Sequence, residues 1–253
     1  MRRILIGAVF VAATAFFATL AIAGCLVIPN GNPLIWCARP WASAILAACG
    51  TRVRITGRER IPVGRPVIYI TNHQSHFDML AIIRALPGQY RAIAKKELFR
   101  IPLFGWAIWI AGFIRIDRED RERAFRSLDV AAERIRRGRS VLIFAEGTRS
   151  LDGRLLPFKK GGFILAISSG CPIVPISISG SRAILARNTL DVRRGTIDVV
   201  IGEPIDVAPY SMEMRNELIA RVRRAIESGF TELKALDGES AGETRSHQPA
   251  GGV

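Results

Sequence analysis

The sequence predicts a layered α/β domain carried on an N-terminal membrane-embedded helical hairpin. Three observations point there. Hydrophobic residues make up 49% of a chain that is also 23% charged, and the apolar excess is concentrated in the first fifty residues. After Gly50, short runs rich in β-branched residues alternate with segments patterned at the helical period. That alternation is what helices packed on a sheet require. The chain, 253 residues long, suffices for one sizeable α/β domain with a short attachment.

The elements follow in order. Arg2 and Arg3 precede an uncharged run from Ile4 to Ile28, long enough to cross a hydrocarbon core of roughly 30 Å at ~1.5 Å per residue. The "IAGC" at 22–25 weakly resembles a lipoprotein cleavage site. The run, however, is longer than a signal-peptide core and continues past Cys25 as Leu-Val-Ile, so an uncleaved anchor is expected. The turn-rich "PNGNP" at 29–33 ends it. A second apolar stretch, Leu34 to Cys49, contains Arg39 and Pro40; it is short for a span and reads as interfacial or re-entrant. Arg52, Arg54, Arg58 and Arg60 come next. Positive charge on both outer flanks, with none in the loop between, predicts a hairpin whose two ends share the cytoplasmic side of an inner membrane.

Residues 51–236 form the expected catalytic domain. "RVRITG" (52–57), "PVIYIT" (66–71), "RAIAK" (91–95), "GFIRID" (112–117), "SVLIFAE" (140–146), "PIVPISIS" (172–179) and "GTIDVVIG" (195–202) read as strands, the second nearly all apolar and therefore central. Helices are expected over 79–86, 119–137, 161–169 and 212–236. In the second of these, Phe125, Leu128, Ala132 and Ile135 mark one face, and Gly138 supplies the C-terminal cap. Residues 237–253, rich in Gly, Ser and Glu, are expected to be disordered.

Lys and Arg total 36 against 22 acidic residues, a net charge of +14. Such a balance favours polyanions or anionic surfaces. No basic block interleaved with aromatics is present, so a membrane surface is the expected partner and nucleic acid is not. Cys25, Cys37, Cys49 and Cys171 form no Cys-x-x-Cys pair, which leaves neither a metal knuckle nor a redox motif.

The chemistry-bearing motif is "NHQSHFD" (72–78), directly after the strongest strand and before a helix, where open α/β sheets place their sites. His73 can act as a general base, since an unperturbed imidazole titrates at about 6.5. Asp78, across the turn, can hold one ring nitrogen protonated and leave the other free. A purely structural account competes: Ser75-x-x-Asp78 also spells a capping box, and Asn72 a turn residue. His73, His76 and Asp78 are also potential metal ligands. The remaining histidine, His247, lies in the polar tail, so no metal and no cofactor are expected.

"NHQSHFD" resembles the His-x-x-x-x-Asp motif of the glycerolipid acyltransferases, the 1-acylglycerol-3-phosphate acyltransferase family. Three further segments match in the family's order: "KKELFRIPLFGWAIWIAGFIRIDR" (95–118), "FAEGTRS" (144–150) and "IVPISI" (173–178). The resemblance spans roughly residues 60–205. It implies the family's mixed-sheet domain, with His73 and Asp78 as the catalytic pair and Glu146, Gly147, Thr148 and Arg149 binding the glycerol phosphate. Arg149 carries a planar donor fork suited to phosphate, although Glu146 and Arg149 in a local ion pair would explain the same turn. Arg118 is a second phosphate candidate. Lys95 and Lys96 are candidate contacts to acceptor or donor, and Pro175 a structural contributor to the donor site. "LFGWAIWIAGF" (103–113) reads equally as an acyl-chain or membrane-resting surface and as core.

The implied reaction transfers a fatty acyl group from acyl-coenzyme A or acyl carrier protein to the sn-2 hydroxyl of a lysophospholipid. No Gly-x-Ser-x-Gly elbow is present, which disfavours a serine acyl-enzyme. Other acceptors (a lyso-ornithine lipid, another lyso-lipid, glycerol 3-phosphate) keep the chemistry. A membrane-anchored anion-binding module and a metal hydrolase are the alternatives from other classes.

Overall fold

A computed structural model describes residues 2–117 and 121–245. Its elements in chain order are α1 (Arg2–Val27), α2 (Asn32–Cys49), β1 (Thr51–Thr56), β2 (Ile68–Thr71), α3 (Phe77–Ala85), β3 (Tyr90–Lys95), α4 (Phe104–Ile110), β4 (Ile114–Ile116), α5 (Arg121–Arg136), β5 (Ser140–Phe144), α6 (Gly161–Ser169), β6 (Ile173–Ser179), α7 (Ser181–Ile184), β7 (Gly195–Ile201) and α8 (Arg215–Arg245). Every strand expected from the sequence is present, with ends shifted by a residue or two.

The seven strands form one mixed sheet in the order β1-β7-β6-β2-β5-β3-β4. All neighbours pair in parallel except β6 and β7, which run antiparallel with Ser179 opposite Asp198. β2 sits between β6 and β5, with Ile70 opposite both Pro175 and Ile143. Its four residues are all buried, as expected of a central parallel strand.

Helices cover both faces. On one, α2 and α3 pack Ile45, Leu46, Leu80 and Ile82 against strand residues such as Tyr69, Leu142 and Val199. On the other, α5, α6 and α8 pack Ala131, Ile135, Phe163, Leu165, Leu218 and Val222 against Ile68, Ile70 and Ile173. In α5, Leu128, Ala132 and Ile135 lie on the buried side as their spacing predicts, and Gly138 adopts φ 74° with its N–H bonded to the Ile135 carbonyl. The Phe125 side chain lies outside what is described.

The N-terminal fifty residues fold as a hairpin of α1 and α2. Among the described residues α1 is the one helix long and apolar enough to cross a membrane; its 26 residues extend about 39 Å. α2, the stretch read as interfacial or re-entrant, also seats Ile35, Ala42, Ile45, Leu46 and Cys49 in the domain core. These residues recur at helical spacing, so one stripe faces α3 while the other face meets α1. Pro40 is accommodated inside the helix. At the open end, Arg2 donates to the Cys49 carbonyl (3.0 Å) and Arg3 pairs with Asp191 (2.8 Å). At the turn, the buried Arg91 guanidinium donates to the Asn30 carbonyl (2.8 Å) and Arg139 to Asn32 Oδ1 (2.6 Å). The hairpin is therefore fastened to the domain at both ends.

α4 divides the 103–113 segment between its two expected uses. Ala107, Ile108 and Ala111 are buried against Ala18, Ala21 and Leu34 of the hairpin. Trp106 and Trp109 point outward, 57% and 71% exposed. Phe10, Phe16 and Leu20 on α1 and Trp36 on α2 are exposed as well.

α8 runs to Arg245, nine residues into the segment expected to be disordered from 237. Extending an existing helix avoids the cost of nucleation.

Candidate active site

The site forms at the carboxyl edge of two neighbouring parallel strands. Thr71 and Phe144, the last residues of β2 and β5, pair directly, so the "NHQSHFD" and "EGTRS" turns leave the sheet side by side. Asn72 is fully buried, and its side chain stands in for a strand residue. Its Nδ2 donates to the Ile178 carbonyl (2.9 Å), and its Oδ1 accepts the Ile178 N–H (2.8 Å). This continues β2–β6 pairing beyond the ladder and fixes where the chain turns away.

His73 Nδ1 lies 2.7 Å from Asp78 Oδ2. Asp78 is fully buried. The same Oδ2 accepts the backbone N–H groups of Gln74 (2.6 Å) and Ser75 (2.8 Å). Ser75 Oγ accepts the Phe77 N–H (3.2 Å) and donates to the Leu185 carbonyl (2.7 Å). The two accounts of Asp78 are thus one arrangement: the carboxylate closes the helix-capping turn and holds the imidazole with the same oxygen. An ionised Asp78 accepts only, so Nδ1 carries the proton and Nε2 is left with a free lone pair. The ring stacks on Phe144 with centroids 4.0 Å apart, which restricts its rotation.

Glu146 supports the other side of His73. Its carboxylate is 2% exposed; Oε1 accepts the His73 N–H (2.8 Å) and Oε2 the Leu156 N–H (3.1 Å). Burial, the leading cause, pushes its carboxyl above the ordinary glutamate value, against the lowering effect of those two amides. The local Glu146–Arg149 ion pair that the sequence allowed does not form; both carboxylate oxygens are turned to backbone amides. Gly147 takes φ 70° in a tight turn whose N–H bonds the Phe144 carbonyl (3.1 Å), a conformation that suits glycine. Thr148 is exposed and Arg149 half-buried. The Ser150 N–H donates to the His73 carbonyl (2.8 Å), tying the arginine-bearing turn directly to the histidine.

Other expected residues fall at different distances from this centre. Lys95 ends β3 on the same sheet edge and Lys96 follows it; Lys95 pairs with Glu97 (3.5 Å) and Lys96 with Asp117 (2.9 Å). Pro175 lies buried inside β6 opposite Ile70, with its carbonyl accepting the Gly202 N–H (2.9 Å). Arg118 lies outside the described residues. His76 is exposed at the start of α3. Desolvation by its neighbours is the first cause holding its imidazole below the ordinary value, and the charges of Arg149 and His73 add to it.

The comparisons accord with this geometry. Residues 52–179 match the acyltransferase family. The human 1-acyl-sn-glycerol-3-phosphate acyltransferase alpha is 32% identical over 238 residues, covering 94% of this chain and 83% of its own length. This chain belongs to the 1-acyl-sn-glycerol-3-phosphate acyltransferase family. An Escherichia coli K12 member is 35% identical over 179 residues, 70% of this chain and 72% of that protein. In three dimensions, the 1-acyl-sn-glycerophosphate (LPA) acyltransferase PlsC of Thermotoga maritima superposes with a TM-score of 0.76 at 29% identity, covering 93% of this chain and 98% of that one. The acyltransferase fold therefore extends over the hairpin as well as the domain.

Asn72 was legible in the sequence only as a turn residue, because nothing in its spacing discloses a partner on β6. Glu146 was expected to bind phosphate, yet its bonds go to protein amides. Arg187 lies in the irregular 185–194 segment, past the fourth motif, where no sequence pattern marks it. Its Nη1 donates to the Arg149 carbonyl (2.9 Å).

Proposed function

We propose that this acyltransferase transfers a fatty acyl group from acyl-coenzyme A or acyl carrier protein to the sn-2 hydroxyl of 1-acyl-sn-glycerol 3-phosphate, giving phosphatidic acid. The observation that carries this reading is the 2.7 Å contact of His73 Nδ1 with the buried Asp78. It leaves Nε2 free beside a turn bearing Arg149.

The acceptor's phosphate docks on Arg149, whose guanidinium forms charge-assisted, bidentate bonds to phosphate oxygens. Nε2 of His73 takes the proton of the free glycerol hydroxyl as the oxygen attacks the thioester carbonyl. Asp78 stabilises the imidazolium as it forms. The tetrahedral intermediate collapses, the C–S bond breaks, and the leaving thiolate recovers the proton from His73. General-base assistance of this kind contributes about 10²–10⁴ in rate. Glu146, Ser150 and Phe144 support His73: the first two bond its backbone and the third stacks on its ring.

The hairpin brings the site to the lipid. β1 and β7 begin at the sheet edge where β2 and β5 end, so the open end of the hairpin, at Arg2, Arg3 and Cys49, shares that edge with His73. α1 and the outward tryptophans of α4 form the face that meets the bilayer. Arginines on both hairpin flanks orient the catalytic domain to the cytoplasmic side of an inner membrane.

Membranes containing the protein, given labelled acyl-coenzyme A and in turn 1-acylglycerol 3-phosphate, a lyso-ornithine lipid or glycerol 3-phosphate, test the acceptor. Phosphatidic acid from the first, at a rate well above the other two, is expected. Preferential labelling of another acceptor would displace this reading.

A further inference from the structure

The segment between β6 and β7 forms a third wall of the site. Gly180 (φ 81°) turns the chain so closely over Thr196 that a Cβ there would collide with its carbonyl oxygen. α7 follows, with Ser181 and Ile184 buried. Three bonds then fasten the segment to the two catalytic turns. Ser75 Oγ donates to the Leu185 carbonyl (2.7 Å), Arg182 Nε to the Leu151 carbonyl (2.9 Å), and Arg187 Nη1 to the Arg149 carbonyl (2.9 Å).

Arg187 is close enough for its charge to act on Arg149: after desolvation, it is the next cause lowering the Arg149 pKa. Among the described residues neither arginine has an acidic partner within ion-pair distance. Other basic residues of this chain do, including Arg3, Lys95, Lys96, Arg136 and Arg193. The bond to the Arg149 carbonyl places the Arg187 guanidinium against the backbone of the turn that bears Arg149, and like charges so close repel one another unless an anion lies between them. Each guanidinium has five N–H donors, and Arg187 spends one on the Arg149 carbonyl.

We propose that Arg187 is a second ligand for the acceptor's phosphate, closing a two-guanidinium clamp with Arg149. The proposal rests on the acceptor assigned above. The chemistry of that acceptor selects its phosphate over the donor's. In 1-acylglycerol 3-phosphate, one methylene and one oxygen separate the reacting carbon from phosphorus. The phosphate must therefore sit beside the turn that His73 and Ser150 join. The diphosphate of coenzyme A is separated from its thioester by the whole pantetheine arm and lies far from the reacting carbonyl. A dianionic phosphate with three terminal oxygens can engage both forks.

The test is steady-state kinetics of Arg187→Gln and Arg187→Lys in membranes, varying acceptor and acyl-coenzyme A separately. Arg193→Gln, which removes an exposed charge elsewhere, controls for lost positive charge. Arg187→Gln is expected to raise the KM for 1-acylglycerol 3-phosphate about 10- to 100-fold, the loss of a charge-assisted contact. Its kcat and its KM for the donor should stay near wild type. Arg187→Lys keeps the charge and loses the fork, so a rise of about three- to tenfold is expected; it carries the test if the glutamine variant fails to accumulate.

An unchanged acceptor KM in both variants would overturn the proposal. So would a fall in kcat alone, a rise in donor KM alone, which marks a donor contact, or an acceptor KM that Arg187→Gln raises in the wild type but not further in an Arg149→Gln background, which marks a support for Arg149 and no contact of its own. A wild type inactive on 1-acylglycerol 3-phosphate would instead refute the acceptor assignment itself.

Discussion

Replacing Glu146 by glutamine separates two roles that the sequence could not. The carboxylate receives two backbone N–H groups, from His73 and Leu156, at 2.8 and 3.1 Å, in a position 2% exposed. Glutamine offers one acceptor oxygen and one NH2, so one of the two amides must face a donor. An orphaned buried N–H costs about 1–3 kcal/mol. Removing a carboxylate that burial already disfavours returns part of that. The net loss is about 1–2 kcal/mol, a fall in Tm of roughly 2–8 °C for a domain of this size. If the glutamine oxygen turns to Leu156, the His73 backbone shifts; displacements near 1 Å cost on the order of 10²-fold in rate. The expected outcome is a kcat lowered about 10- to 100-fold with the acceptor KM little changed. Thermal unfolding in detergent and initial rates at saturating lipid measure the two effects. Wild-type Tm together with a change confined to the acceptor KM would refute this reasoning and restore Glu146 to the phosphate.

Asn72→Ala removes both bonds to Ile178 and leaves a buried N–H and C=O unpaired, a cost of about 2–6 kcal/mol; a clear drop in detergent-solubilised Tm is expected, and an unchanged Tm would contradict the strand-surrogate role. His76 has its imidazole pKa lowered in the fold, so the folded state binds fewer protons than the unfolded chain just below pH ~6.5. Its contribution is fully present above that pH and lost as pH falls through the lowered folded value. His76→Gln should therefore flatten the acid limb of the stability–pH curve, and an unchanged slope in chemical unfolding would count against it.

The sequence exposed most of the architecture because strand composition and helical period are local properties. β2, β5 and β6 announce themselves as β-branched runs, and the apolar face of α5 appears in its spacing. Less visible was the division of labour within apolar stretches. Leu34 to Cys49 has the composition of a membrane segment, yet α2 packs Ile45 and Leu46 in the domain core, since composition does not tell lipid from protein. At the site, His73, Asp78 and Arg149 stood out through motif and resemblance. The helix cap and the His73 contact, which the sequence offers as competing readings, coincide in three dimensions, where one oxygen of Asp78 closes the turn and meets His73 Nδ1. Asn72 and Arg187 depend on contacts 106 and 38 residues away, and no local pattern encodes such pairings.

The central claim is that His73, oriented by Asp78, is the base that activates the lipid hydroxyl. It is tested most directly by kcat of wild type, His73→Ala and Asp78→Asn on 1-acylglycerol 3-phosphate at saturating donor, in proteins of matched abundance and Tm. His73→Ala should lose about 10²–10⁴ in kcat with the acceptor KM nearly constant, and Asp78→Asn should lose a substantial part of the same factor. A His73→Ala protein that retains kcat within a few-fold of wild type would contradict the account.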